Sequence, residues 1–513
     1  MAHTKFFKVL PPIVLFFGLL ISTHGAEHFV SPVGTPAGDG SLTKAWDLRT
    51  ALNQPASLLP GDTLWVLPGT YRAPSSEGFV SKLNGTPDRP IIVRSYHGNR
   101  ATIDGHATQA ALTIYGSYTW FWGLEIIDST SQRVSSSTAA TNAVGVAVYG
   151  PGIKCIDMVV HDTLEGFSAY NASPDSEFYG NLVYYNGLVA TDRNHGHGMY
   201  FQNLMGTKTI SDNVVGDNAD EGIQIYGSGS AAISGFIVTG NTLYNTGSWP
   251  SPHYQYNLII AGGKTRKDIQ VLNNFSYFPS RAAEGQVSFG QYTPGQDITV
   301  KDNVFAGGYQ PVGFEEEGGP VSFTGNKIYG TSAALRMLGL VVDAAQTLAS
   351  YTWDRNVYYD VTPYHFYVGT TANGSASGVN QIYSAWQTKT GFDAHSEYHP
   401  TPPAETWVYV RPNKYEPKRA NITVYNWKLD PAVSVDLSGV LLSGDRYVIQ
   451  DAQDFYGSPV ASGSFDGKPV LLKMNGLSKS APIGFLAPAH TAPEFGTFIL
   501  LPAAPAVTEK NPH

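Results

Sequence analysis

The run Thr191-Asp192-Arg193-Asn194-His195-Gly196-His197-Gly198 is the densest polar cluster in this 513-residue chain. Its His197 is a natural general base, because a neutral imidazole accepts a proton near neutral pH and flanking carboxylates raise its pKa. Acidic residues occupy the equivalent position before other glycines: Glu165 before Gly166, Glu221 before Gly222 and Glu284 before Gly285. Held in register on strands about 4.8 Å apart, these side chains form one column. Glu165 and Glu221 then flank His197, and Glu284 lies roughly 10 Å from Glu221 with one strand between them. Arg193, and Lys264 after Gly262-Gly263, are placed to neutralise charge that develops during a reaction. Asp192 and Asp220 add carboxylate oxygens, the ligands that Ca2+ prefers, so Ca2+ is the cofactor this cluster could take. Each residue also has a plainer role open to it: turn carboxylates commonly bond backbone, and Lys264 fits a solvated turn.

A column of this kind needs many strands stacked in register, and the sequence supplies a repeat. Apolar residues alternate up to an Asn and then alternate again, as in Phe178-Tyr-Gly-Asn181-Leu-Val-Tyr and Phe236-Ile-Val-Thr-Gly-Asn241-Thr-Leu-Tyr. Asn213, Asn274, Asn303, Asn326 and Asn356 continue the series at spacings of roughly 23 to 33 residues, the length of a three-strand coil. Asp157 and Gly123 extend it backwards in the same slot. One coil cannot bury its apolar face alone and must stack on its neighbours. Asn suits a tight corner because it tolerates the left-handed backbone, and stacked Asn side chains can hydrogen-bond one another. Gly145, Gly166, Gly198, Gly222 and Gly285 open a further set of strands. Period-two alternation turns Met199, Phe201, Ile223, Ile225, Val287 and Phe289 inward, and Tyr200, Gln224, Tyr226 and Gln286 outward.

The Asn series resembles the asparagine ladder of pectate-lyase-like right-handed parallel β-helix proteins, over roughly residues 40–400. The resemblance implies an enzyme acting on a polysaccharide laid across an outward-facing parallel sheet. A lyase would use His197 as the base at C5 of a uronic acid, with Arg193 or Lys264 neutralising the adjacent carboxylate. An inverting glycoside hydrolase would use Glu221 with Glu165 or Glu284, at the upper edge of the roughly 6.5–9.5 Å such acids require. A non-catalytic glycan-binding surface protein would use the same groove without needing His197. Tyr200, Gln224, Tyr226, Trp249, His253, Tyr254 and His195 lie on or beside this face as candidate sugar contacts. Gly196-His197-Gly198 also occurs in polygalacturonases, but the paired Asp expected before it and an Arg-Ile-Lys element are missing.

Composition sets the frame. Charged residues make up 14% of the chain beside 54 Gly and 30 Tyr, which suits an all-β protein of short strands and tight turns. A net charge of -9 argues against nucleic acid as the main partner, since phosphate binding needs a basic surface. Residues 1–26 read as a signal peptide: Lys5 and Lys8 precede an apolar stretch from Val9 to Ile21, followed by small residues. With no later apolar span, a secreted or periplasmic monomer without membrane insertion is expected. Cys155 is the only cysteine, which excludes an internal disulfide or a thiolate zinc site and suits a core position. Residues 27–400 are assigned to the β-helix, with Asp47-Leu-Arg-Thr-Ala-Leu as a capped helix closing its start. Residues 401–501 read as a small antiparallel, sandwich-like domain and 502–513 as a disordered tail. Ala334 to Ser350 reads as a short helical insertion, 383–396 as a helix and turn, and Glu315-Glu316-Glu317 as a solvated turn or cation site.

Overall fold

The computed structural model describes residues 25–503, apart from 74–75, 107–108, 131–132, 136–142, 228, 230, 232, 250–254, 265, 283, 291–292, 344–347 and 373–374. Nearly all of the expected leader and tail lie outside the described residues. Alternating apolar positions build three sheets of twelve strands each. Each coil visits the three in turn, as in Glu177–Tyr179, Leu182–Tyr184 and Met199–Phe201. Neighbouring strands pair in parallel, except for the hairpin of Phe366–Ala372 with Ser375–Gln381 that ends the third sheet. The chain is a parallel β-helix, with Phe178, Val183 and Phe201 among the side chains that fill its interior. Cys155 lies in register between Phe121 and Phe178, fully buried, and burial pushes its thiol pKa well up.

Asn181, Asn213, Asn241, Asn274, Asn303, Asn326 and Asn356 form an unbroken ladder at the corner between the first and second sheets. From Asn213 onward, each side-chain carbonyl accepts from the backbone N–H and the Nδ2 of the rung before, at 2.8–3.2 Å. The left-handed backbone expected of the Asn falls instead on the residue before it, such as Gly180, Asp212, Gly240 and Asn273. That residue makes the corner, and the Asn after it is free to aim its amide along the stack. Asp157 and Gly123 hold this corner position, so they sit one residue before the ladder slot, which buried Met158 and Leu124 fill. At the far end Asn356 donates to Asp393, which also accepts from Trp386 Nε1 at 2.8 Å.

Both ends are closed by short helices. Asp47 caps Leu48–Leu52 by accepting from the Thr50 N–H at 2.9 Å, and Trp46, Leu48 and Leu52 pack into the core. Tyr383–Thr390, ended by left-handed Gly391, carries Trp386 against Phe366 and Trp353. Within the expected helical insertion 334–350 lie a strand, Leu338–Asp343, and only a short 3-10 turn, Leu348–Ser350, with 344–347 outside the described residues. Leu338, Leu340 and Val342 alternate into the core there, and stacking on neighbouring coils outweighs local propensity. Glu315-Glu316-Glu317 likewise ends the strand Gln310–Glu317, and Glu317 is buried 3.0 Å from Arg266.

From Trp407 the chain forms antiparallel sheets of five and two strands. Tyr425, Phe495 and Ile499 pack against the outer face of the second β-helix sheet, where Phe495 stacks on Tyr277 at 4.4 Å. Lys479 reaches across this seam to buried Asp217 at 2.7 Å. Lys479→Ala leaves that carboxylate without its cation and is expected to cost about 3–5 kcal/mol. The cost is read as a lower melting temperature with faster proteolysis of the C-terminal region; an unchanged melting curve would refute it. No helix of the described residues is long and apolar enough to cross a membrane.

Candidate active site

The corner from the second to the third sheet holds a shorter set of buried amides. Asn218 Oδ1 accepts from the backbone N–H and Nδ2 of Asn186 at 3.1 and 3.0 Å, and Asn186 Oδ1 accepts from the Thr163 N–H and hydroxyl at 3.2 and 2.7 Å. These rungs fix the segments that lead to Glu165, His197 and Asp220-Glu221. Sequence reading missed both asparagines, although Val183-Tyr-Tyr-Asn186 and Val215-Gly-Asp-Asn218 share one spacing. Gly198 then admits no side chain, since a Cβ would lie 2.7 Å from Asn218 Nδ2 and from the Gly222 carbonyl. The Gly166 N–H donates to the His197 carbonyl and the Gly198 N–H to the Glu221 carbonyl, each at 3.0 Å. Glu165, His197 and Glu221 therefore stand on three successive coils.

His197 Nδ1 lies 2.6 Å from Glu221 Oε2, but off the line of a directed hydrogen bond, so charge holds the pair. Burial would lower the imidazole pKa, but Glu221, then Glu165 and Asp220, outweigh it and raise it to about 9. Burial raises Glu165, with His197 opposing. Asp220 and Glu221 are driven apart: burial and the Glu221 charge raise Asp220, while the His197 cation holds Glu221 below the usual range against its own burial. Arg193 pairs with Asp220 from the hairpin Leu188–Val189 and Asn194–His195. Thr191, Asp192, Arg193, Asp220, Glu221 and Gln255 line a polar cleft of about 490 Å³ at this edge of the third sheet. Tyr200 lies beside it, its ring 5.5 Å from that of His197. Together these groups offer a base of raised pKa, acids on both sides and a cation at the rim.

Other candidates are placed differently. Gln224 and Tyr226 face outward on the strand after Tyr200, both half-buried. His195 is turned to Asp192 at 2.9 Å, within the hairpin. Glu284 is exposed beyond the coil that carries Tyr256. Lys264 follows the far end of the strand Tyr256–Gly262, about 20 Å along it from the edge where His197 stands. It cannot serve the same sugar as His197. Trp249 is 1% exposed, enclosed by Tyr185, Phe485 and the Arg133 guanidinium, so its ring has no open face for a sugar. His253 and Tyr254 lie outside the described residues.

The donor set fits Ca2+ poorly. His197, Asp220 and Glu221 bring one ligand atom each within 4.8 Å of one another. One of the three is an imidazole, both carboxylates already face cations, and Asp192 belongs to the His195 pair. A Ca2+ ion takes about six to eight oxygens, far more than this cluster presents.

Fold and ladder define a parallel β-helix protein. No family model matches the chain. A stretch of 118 residues, 23% of this chain, is 30% identical to pectate lyase L of Thermoclostridium stercorarium and spans 9% of that protein's length. Among solved structures, pectate lyase Pel9A is 14% identical with a TM-score of 0.41, covering 69% of this chain and 79% of that one. An alginate lyase from Paenibacillus is 18% identical with a TM-score of 0.35, covering 63% and 96%.

Proposed function

We propose that this protein is a secreted polysaccharide lyase that cleaves a uronic-acid-containing polymer by β-elimination. The observation that carries the reading is His197, set between Glu165 and Glu221 on successive coils, with Glu221 lining a polar cleft. A C5 proton beside a carboxylate is only weakly acidic, so its removal calls for a strong base, and the surrounding carboxylates make His197 one. Glu221 on Nδ1 favours the tautomer that leaves Nε2 to take the proton. Arg193 at the rim can meet the substrate carboxylate and stabilise the negative charge that builds on it as C5 loses its proton. Electrons from the C5–H bond form the C4–C5 double bond, and the C4–O bond breaks with its electron pair passing to the departing oxygen, which takes a proton from water. The pectate lyase and alginate lyase likenesses agree with this substrate class.

Because free His197 titrates at about 9, kcat/KM is expected to rise through neutral pH and level off above that value. The same shift has the opposite effect on stability. The folded pKa exceeds the ordinary histidine value, so the pair's contribution is complete below about pH 6.5 and is lost as pH rises through about 9. Incubation with pectic, alginate and glucuronan polymers should give the ultraviolet absorbance of an unsaturated uronate, increasing towards alkaline pH. A second reading, an inverting hydrolase, draws support from the opposed shifts of Glu165, raised by burial, and Glu221, held low by the His197 cation, which stand two coils apart as one acid and one base. New reducing ends without that absorbance, formed fastest at acid pH, would favour it over the lyase.

A further inference from the structure

Arg336 occupies the same place in its coil as His197 does. The pairings Met199↔Ile223, Ile223↔Leu258, Leu258↔Val287, Val287↔Val312 and Val312↔Leu338 run along the third sheet. His197 stands two residues before Met199, and Arg336 two residues before Leu338. Five strand steps separate them, about 24 Å along the same edge. Between them the edge carries Glu221, Tyr256, Gln286 and Gln310.

The surroundings of Arg336 differ from those of Arg133, Arg193 and Arg266. Those three each face a carboxylate. The Arg336 guanidinium instead lies over the Tyr367 ring at 4.5 Å and near the Tyr309 ring at 5.8 Å. Among the described residues, its Nη2 reaches the Tyr309 hydroxyl at 3.5 Å and its buried Nε has no hydrogen-bond partner. No carboxylate of the described residues forms an ion pair with it. The two rings hold the half-buried guanidinium in place while no carboxylate neutralises it, which leaves its charge open to an anionic ligand. Tyr309 is 38% exposed, so the position is reached from solvent. Gln310 on the preceding coil lays its buried amide over Gly313 and Gly339.

We infer that Arg336, held between Tyr309 and Tyr367, is a remote subsite that binds the carboxylate of a uronate residue several sugars away from the bond broken at His197. The inference rests on the uronate reading of the His197 site and adds a chain-length requirement to it. A short oligomer at His197 cannot reach Arg336, whereas a polymer lying along the sheet edge can.

The test compares wild type, Arg336→Ala and Arg336→Lys on the polyuronate that the wild type cleaves, on the methyl-esterified form of that polymer, and on a uronate trisaccharide. For Arg336→Ala, KM on the charged polymer should rise about tenfold with kcat unchanged, as expected for one lost charge-assisted contact. Arg336→Lys should recover part of the loss, since charge remains but the planar fork does not. The esterified polymer and the trisaccharide should give equal constants for all three proteins. An unchanged KM on the charged polymer, or an equal rise on the trisaccharide, would overturn the subsite while leaving the lyase reading intact. A wild type that neither cleaves any uronate polymer nor is retarded by one in affinity gels would overturn the lyase reading, and the subsite with it.

Discussion

Replacing His197 with alanine should reduce kcat/KM on a uronate polymer by about 10²–10⁴-fold, the usual contribution of a positioned general base. The other groups at the cleft are poor substitutes. Arg193 carries no lone pair able to accept a proton, and Glu221 stands one coil away from the place the imidazole occupies. Alanine also leaves Glu221 in a largely buried place without its cation, so the variant should lose some stability. His197→Ala combined with Glu221→Gln removes that unpaired charge and should recover the melting temperature but not the activity. Added imidazole should restore part of the turnover to the single variant, because the missing group is the base itself. Activity within tenfold of wild type in a folded His197→Ala protein would sink the assignment.

The second large effect is on folding. Asn274→Ala removes a side chain that accepts from both the Asn241 backbone N–H and Asn241 Nδ2, and that donates to the carbonyls of Val238 and Leu272. The Asn241 donors and the Val238 carbonyl would lose partners in a corner where water cannot replace them. Each orphaned buried group costs about 1–3 kcal/mol, so a total of roughly 3 kcal/mol or more is expected. Denaturant unfolding followed by circular dichroism measures it. The loss should exceed that from Asp302→Ala at the neighbouring, exposed corner, whose carboxylate takes no part in the ladder. Equal losses at the two positions would show that the ladder amides add nothing beyond the corner itself.

Much of this was legible in the chain. The Asn spacing, the strand-opening glycines and the period-two alternation marked the coils, because a stacked repeat must place the same residue type at the same point of every turn. Asp47 was readable as part of an end cap and 383–396 as a helix and turn for a local reason: one sits at a helix start, and the other runs up to a glycine. The ladder slot itself was misplaced by one residue at Asp157 and Gly123. Sequence similarity cannot separate a residue that turns the corner from one that bonds along it. The run 334–350 misled because its Ala content speaks for a helix, whereas its neighbours in space require a strand.

For the site, sequence alone determined that Glu165, His197 and Glu221 share one column, because register along a parallel sheet follows from the repeat. Three matters were left to the tertiary structure. It brought Arg193 onto Asp220 through a hairpin that no repeat encodes. It buried Trp249 under the C-terminal domain, since the second sheet is the face that domain covers. It also sent Lys264 to the far end of its strand while setting Arg336, unmarked in any motif, on the edge that His197 occupies. The division has a physical cause: a repeat fixes position along a coil, while charge pairing, burial and reach depend on which coils and domains come to lie beside one another.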